Sequence, residues 1–197
     1  MTILPNVKFI QATSNPMEIL KIAAGQCYQK EANDKVIEHI VEAGHLSVLE
    51  HCYATFEVTC SLAVLLQLTR HRHLSFTVQS SRGSELTGFY ECGNEYIDTL
   101  NKVAMERYHK ESQQKSAPQE VLQYMLPKAV EYKMVITGNF RAWFEYLPKR
   151  LCKRASKEHR DLAMHILQIL HLICPEVFLK CRTPCATCKE KGCSFNG

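Results

Sequence analysis

The sequence predicts an α+β fold built as one domain, and three observations carry that expectation. Apolar residues recur at helical spacing in some segments and alternate in others, so both element types are present. Hydrophobic residues make up 46% of the 197, enough for one substantial core. No internal repeat and no domain-sized linker divides residues 1–180, and only a cysteine-rich tail, 181–197, stands apart.

Taken in order, Val7 to Ala12 alternates like a short strand. Asn15-Pro16 opens a helix through Ile19, Ile22 and Ala23 towards Cys27, with Asn15 as cap and the proline in the first turn. Asn33-Asp34 starts a second helix that carries Val36, Ile37, Ile40 and Val41 on one face and stops near Gly44. Phe56 and Val58 belong to a strand, and Ser61 caps a helix whose apolar run, Leu62 to Leu68, ends against a polar cluster. Residues 83–95 form a loop, and 96 to about 113 a long charged amphipathic helix. The segment 115–118 breaks it and starts a helix through Val121, Leu122, Met125 and Leu126. Val130 to Thr137 alternates as a strand; Asn139 caps a helix bearing Arg141 that Pro148 interrupts. Ala155 to Leu172 is a strongly amphipathic helix.

Charge and leader signals exclude several classes. A net charge of +4 gives no argument for nucleic acid, no run of about eighteen apolar residues predicts a membrane span, and Met1 to Pro5 lacks a signal-peptide build. Cys27, Cys52, Cys60, Cys152 and Cys174 sit within apolar segments and are expected to be reduced core thiols of a cytoplasmic protein.

The chemistry concentrates in Thr69 to Arg82, which holds Arg70, Arg72, Arg82, His71, His73, Ser80 and Ser81 within fourteen residues. A solvated basic loop is the plain alternative. Arginine's fork of donors suits phosphate, and no carboxylate lies within the stretch to neutralise it, so the segment is expected to bind a phosphorylated ligand. No Asp or Glu lies within the stretch to help make Ser80 a nucleophile, although His71 and His73 are close in sequence.

Arg70-His71-Arg72 followed by seven residues and Ser80 resembles the signature of the flavin-dependent thymidylate synthases. Gly44 to His51 resembles the family's flavin element, Met125-Leu126-Pro127 its leucine-proline, Asn139-Phe140-Arg141 its asparagine-x-arginine motif, and Arg150 to Ala155 its last arginine stretch. The resemblance covers roughly residues 1–180 and implies a mixed or antiparallel sheet flanked by helices. It implies FAD held by Ser47, Glu50, Arg70, His71, Arg72, Val78, Asn139, Arg141 and Glu145, and a pyrimidine nucleotide held by Gln67, Arg70, Ser80, Ser81, Arg82, Gln123 and Arg150. Arg150 matches the arginine that faces the ring and promotes ionisation at N3. NADPH and methylene-tetrahydrofolate would supply electrons and carbon, dUMP would become dTMP, and a homotetramer would share its active sites between subunits.

Four positions depart from the family pattern at ligand contacts. Val78 replaces a glutamate or glutamine, Gln123 an arginine, Glu145 an asparagine or histidine, and Gly83 a tyrosine. Either Gln79 compensates by a one-residue shift or the pocket takes another pyrimidine nucleotide, such as UMP or dCMP; loss of catalysis with retained binding is the third alternative. The tail places Cys181, Cys185, Cys188 and Cys193 at a spacing from which thiolates could converge on zinc, an iron–sulfur cluster being a weaker expectation and a mobile reduced tail the plain one. Trp143 and Phe144 are either ring-stacking or core residues, and His159 and His165 surface or core.

Overall fold

Four antiparallel strands in the order β1-β2-β4-β3 form the sheet, in a computed structural model that describes residues 6–27, 29–181, 185, 188, 193 and 194. The strands are β1 (Asn6–Ala12), β2 (Tyr53–Ser61), β3 (Ser75–Val78) and β4 (Glu131–Asn139). The helices are α1 (Pro16–Gln26), α2 (Asp34–Glu42), α3 (Leu62–Leu68), α4 (Glu95–Gln113), α5 (Gln119–Leu122), α6 (Phe140–Leu151), α7 (Lys157–Ile173) and α8 (Pro175–Phe178), with 3₁₀ turns at Leu46–His51 and Gln123–Met125.

The central pair, β2 and β4, runs in register from Tyr53↔Asn139 to Ser61↔Glu131. On β4, Tyr132, Met134 and Ile136 point inward and Lys133 and Val135 outward, the alternation a one-faced sheet requires. β2 buries Ala54, Phe56, Val58 and Cys60 beneath α6 and α7, where Trp143, Tyr146, Leu162 and Ile166 complete the core.

Local sequence chemistry sets several helix ends. Asn33, Asn94 and Asn139 each accept the backbone N–H three residues on, at 3.2, 3.1 and 2.8 Å. Gly44 at φ +79° terminates α2, with His45 N–H donating to the Ile40 carbonyl and Gly44 N–H to that of Val41. Asn15 departs from expectation: it sits at φ 50° in the left-handed region without a side-chain cap bond, and only its carbonyl serves α1. Cys27 departs too, being exposed, and Cys152 is only half-buried, whereas Cys52, Cys60 and Cys174 are buried as expected.

Pro148 does not interrupt α6, which runs unbroken to Leu151. A proline there lacks the N–H that would bond the Phe144 carbonyl. Cys181 lies 3.9 Å from that oxygen through its thiol and gives the vacated acceptor a weak donor. α7 begins at Lys157 rather than Ala155, because Arg160 donates to the carbonyls of Lys153 (3.0 Å) and Ala155 and holds the preceding turn out of the helix.

β3 was not foreseen as a strand. Its four residues pair with β4 from Ser75↔Thr137 to Val78↔Met134, with Phe76 and Val78 leaning onto the core. Gly138 makes room for the turn before it: a Cβ there would lie 2.3 Å from Leu74 Cδ2 and 3.2 Å from Trp143 Nε1.

Ser61 joins β2 to α3 and is the junction most exposed to mutation. Its hydroxyl accepts from Val64 N–H at 3.2 Å and donates to Glu158 Oε2 at 2.6 Å, while its own N–H donates to Glu158 Oε1 at 2.7 Å. Ser61→Ala removes a cap and a buried hydrogen bond together and is expected to destabilise by about 2 kcal/mol. Urea unfolding measures this, and an unchanged midpoint would refute it.

Candidate functional site

α3 is short and ends in the polar cluster. Thr69 closes it by donating through its hydroxyl to the Leu65 carbonyl at 3.0 Å, and His71 N–H bonds the Leu68 carbonyl at 3.0 Å. Buried Leu74 then pins the turn to the core, which leaves Arg70, Arg72 and His73 exposed and His71 half-buried.

Arg150, from the last turn of α6, reaches back across this turn. Its Nε donates to His71 Nε2 at 2.8 Å, Nη1 to Gln67 Oε1 at 3.2 Å and Nη2 to the Gln67 carbonyl at 3.2 Å. All three partners are neutral, so the guanidinium is oriented without losing its charge. Burial first, then the cations Arg150 and Lys149, pushes the His71 pKa down to about 4, which keeps Nε2 an acceptor at neutral pH. A cleft of about 240 Å³ opens beside it, lined by Arg70, His71, Arg72, His73, Glu145, Tyr146 and Lys149 among others.

A second cleft, of about 270 Å³, shares His73, Ala142 and Glu145 with the first and adds Glu50, Asn139 and Arg141. Here the arginine is neutralised. Arg141 Nη1 donates to Glu50 at 2.5 Å and Nε to Glu145 at 2.9 Å, one turn along α6. These hydrogen bonds push the Arg141 pKa up. Asn139 gives its side-chain oxygen to the helix cap. Ser47, on the 3₁₀ turn that also carries Glu50, is exposed.

β3, at about 3.3 Å per residue, carries the chain away from these clefts to a third group. Ser80 Oγ accepts from the N–H groups of Arg82 (3.3 Å) and Gly83 (3.2 Å) and so builds the turn it stands in. Arg82 is exposed beside a cleft of about 430 Å³ that also takes Ser80, Gly83, Pro118, Gln119 and Glu120. Ser81 donates to Gln123 Oε1 at 2.6 Å. Gln79 is committed to the fold: its amide nitrogen donates to Ser84 at 3.1 Å and its oxygen accepts from Lys133 N–H at 3.4 Å. The one-residue substitution for Val78 is therefore not made, and Val78 itself packs on the core.

The structure thus brings together Gln67, Arg70, His71, Arg72 and Arg150, and beside them Glu50, Asn139, Arg141 and Glu145. Ser80, Ser81, Arg82 and Gln123 gather at the far end of β3. The four tail sulfurs do not assemble: among the described residues no three His, Cys, Asp or Glu side chains form a metal-holding group. Cys181 is buried against Phe144, and Cys185 accepts from Lys153 N–H at 3.5 Å.

Sequence reasoning missed Tyr146 and left His159 undecided. Tyr146 stands one turn before Arg150 on the same face of α6, a spacing that could have drawn attention to it. Its ring meets His71 edge-on at 4.8 Å, and its hydroxyl lies 3.1 Å from His159 Nε2. His159 is fully buried, and burial, then Arg150 and His71, pushes its pKa down to about 3. Trp143 is core, its indole N–H donating to the Ala54 carbonyl at 3.1 Å.

A family model described as thymidylate synthase complementing protein matches residues 8–176. A probable flavin-dependent thymidylate synthase of Mycobacterium phage D29 is 30% identical over 191 residues, covering 82% of this chain and 81% of the relative. The flavin-dependent thymidylate synthase of Mycobacterium sp. (strain JLS) is 28% identical, covering 90% of this chain and 84% of the relative. Among solved structures, Thymidylate Synthase X from Helicobacter pylori, crystallised with FAD and dUMP, superposes with a TM-score of 0.80 at 24% identity, covering 90% of this chain and 99% of that one. At that identity the superposition supports the fold.

The depressed histidines give a pH signature. Unfolded His159 binds a proton below about 6.5, whereas the folded form refuses it until about 3, so stability present at neutral pH is lost in acid. Wild type is therefore expected to lose stability relative to His159→Phe as pH falls from 7 to 5. Urea midpoints of the two proteins at both pH values test this; a constant gap between them would refute it.

Proposed function

This chain belongs to the thymidylate synthase complementing protein family, the flavin-dependent thymidylate synthases, and from that we propose that it reductively methylates dUMP to dTMP, with FAD as cofactor and methylene-tetrahydrofolate and NADPH as co-substrates. One observation carries the assignment at residue level: Arg150 is fixed by three neutral acceptors, one of them the ring of His71 that lines the cationic cleft, so its charge is placed and not cancelled.

The donor set fits a flavin dinucleotide. Arg70 and Arg72, with Lys149 behind them, supply charge for its phosphates, and Ser47, Glu50, Asn139, Arg141 and Glu145 supply polar partners for its hydroxyl and ring edges. When bound, FAD supplies the electrons that reduce the transferred carbon to a methyl group. The chain's own part is electrostatic. Arg150 beside a pyrimidine would favour loss of the N3 proton and stabilise the enolate-like form that reacts through C5. Ser80 and Arg82 would hold the nucleotide phosphate through hydroxyl and guanidinium donors, with Ser81 able to join them only by releasing Gln123. They stand at the opposite end of β3 from Arg150, which supports a homotetramer whose sites take Arg150 and Gln67 from one subunit and Ser80 and Arg82 from another.

A second reading follows from Val78, which faces the core, and Gln123, which is engaged by Ser81. Both depart from the family's nucleotide contacts, and the second reading is C5-alkylation of UMP or dCMP by the same chemistry. Titrating FAD-loaded protein with dUMP, UMP and dCMP while following the flavin absorbance separates the two. A response to dUMP is expected, and a response to one of the other nucleotides alone would replace the first reading with the second.

Arg150→Ala is expected to retain FAD and lose turnover by about 10²–10³-fold; near wild-type turnover would remove Arg150 from the reaction. Arg70→Ala is expected to weaken retention of both FAD and nucleotide by on the order of tenfold or more, read by equilibrium dialysis. Unchanged affinity for both would contradict its phosphate role.

A further inference from the structure

Two side chains of α6, Arg150 and Tyr146, converge on the His71 imidazole. The Arg150 Nε–H can bond His71 Nε2 at 2.8 Å only if that nitrogen carries a lone pair, so His71 is neutral with its proton on Nδ1. A histidine side chain on an exposed turn can rotate half a revolution about its last bond and present carbon where nitrogen was. The ring of Tyr146 opposes that rotation, meeting His71 edge-on at 4.8 Å and 85°. Tyr146 is held in turn by Trp143, edge-on at 5.7 Å, and by the contact of its hydroxyl with His159 Nε2 at 3.1 Å.

His159 makes poor sense as packing alone. It is fully buried, and its Nδ1 has no hydrogen-bond partner among the described residues. If Nε2 donates to the phenol oxygen, Nδ1 is a bare acceptor; if the phenol donates, Nδ1 is a bare donor. An apolar ring of similar size would carry no such desolvation penalty. What the imidazole adds is a fixed anchor, from α7, for the Tyr146 hydroxyl on α6.

We propose that Tyr146 and His159 are positioning residues that hold the His71 ring in the single orientation able to accept from Arg150, and so aim the Arg150 guanidinium at the substrate. The aim at substrate rests on the role given above to Arg150; the orientation of His71 does not.

The test uses FAD-loaded Tyr146→Phe, which keeps the ring and deletes the hydroxyl, and His159→Phe, which keeps the volume and deletes the anchor. The readouts are the imidazole ¹⁵N spectrum of His71, assigned with His71→Gln, together with thermal unfolding and steady-state kinetics in dUMP. Wild type is expected to show one Nδ1–H tautomer. Both variants should stay folded and load FAD, show averaged His71 tautomers, and lose about tenfold in kcat with KM changed by less than about twofold. His159→Phe should be no less thermostable than wild type. A folded variant with an unaltered His71 spectrum overturns the proposal, as does a wild type whose His71 tautomers are already mixed. Averaged tautomers with normal kcat overturn the link to reaction. Normal turnover in Arg150→Ala would then locate the failure in the assigned role of Arg150 rather than in the positioning of His71.

Discussion

A permanent cation held by neutral partners is the constraint around which this site is built. Arg150 joins the end of α6 to the end of α3 through Gln67 and His71, residues that lie 83 and 79 positions away in sequence. Carboxylates would have bound it more strongly and cancelled its charge. A neutral imidazole and two amide oxygens fix the guanidinium in direction and leave its field intact, which is what stabilising a developing anion requires. The arrangement works only while His71 stays unprotonated, and the burial that depresses its pKa comes from the same α6–α7 packing that closes the core.

Arg141, earlier on the same helix, is the counterexample within one molecule. Glu50 and Glu145 saturate two edges of its fork, so it contributes shape and hydrogen bonding but little net positive potential. The clefts on either side of Glu145 therefore differ in character: one is cationic through Arg70, Arg72 and Lys149, while in the other Glu50 and Glu145 outweigh Arg141. A ligand spanning both meets strong anion recognition at one end and hydroxyl or amide recognition at the other. That asymmetry is consistent with a dinucleotide, whose charge is confined to its phosphates.

The parts of this fold that could be read from sequence are the local ones. The Asn33, Asn94 and Asn139 caps and the Gly44 stop each act within a few residues of themselves, so residue type and spacing were sufficient. The misreadings share a different cause. Pro148 carries a strong helix-breaking rule, and its relief comes from Cys181, more than thirty positions away. β3 alternates over only four residues, Ser75 to Val78, too short a run to stand out, and it is a strand because β4 offers an edge to pair with. Asn15 has a good capping side chain that is not used. For the candidate site, the sequence names Arg70, His71, Arg72, Ser80, Arg141 and Arg150 because their order along the chain resembles a known signature, and the structure places all but Ser80 in or beside two adjoining clefts. Tyr146 and His159 were not, since nothing in sequence separates a tyrosine that packs from one that packs and points.

The buried polar groups show where stability yields to placement. Glu158 sits 5% exposed at the head of α3, its pKa raised by burial, yet both its oxygens are satisfied by Ser61. His159, one residue on and fully buried, is left with a bare ring nitrogen. The two flank α3 and its exit: one secures the start of the helix that delivers the cationic turn, the other reaches through Tyr146 to the turn itself. A core selected for stability alone would use apolar side chains at both positions. Retaining an unsatisfied imidazole is intelligible if it anchors the Tyr146 hydroxyl, and with it the ring that meets His71, in a position that apolar packing alone would not specify.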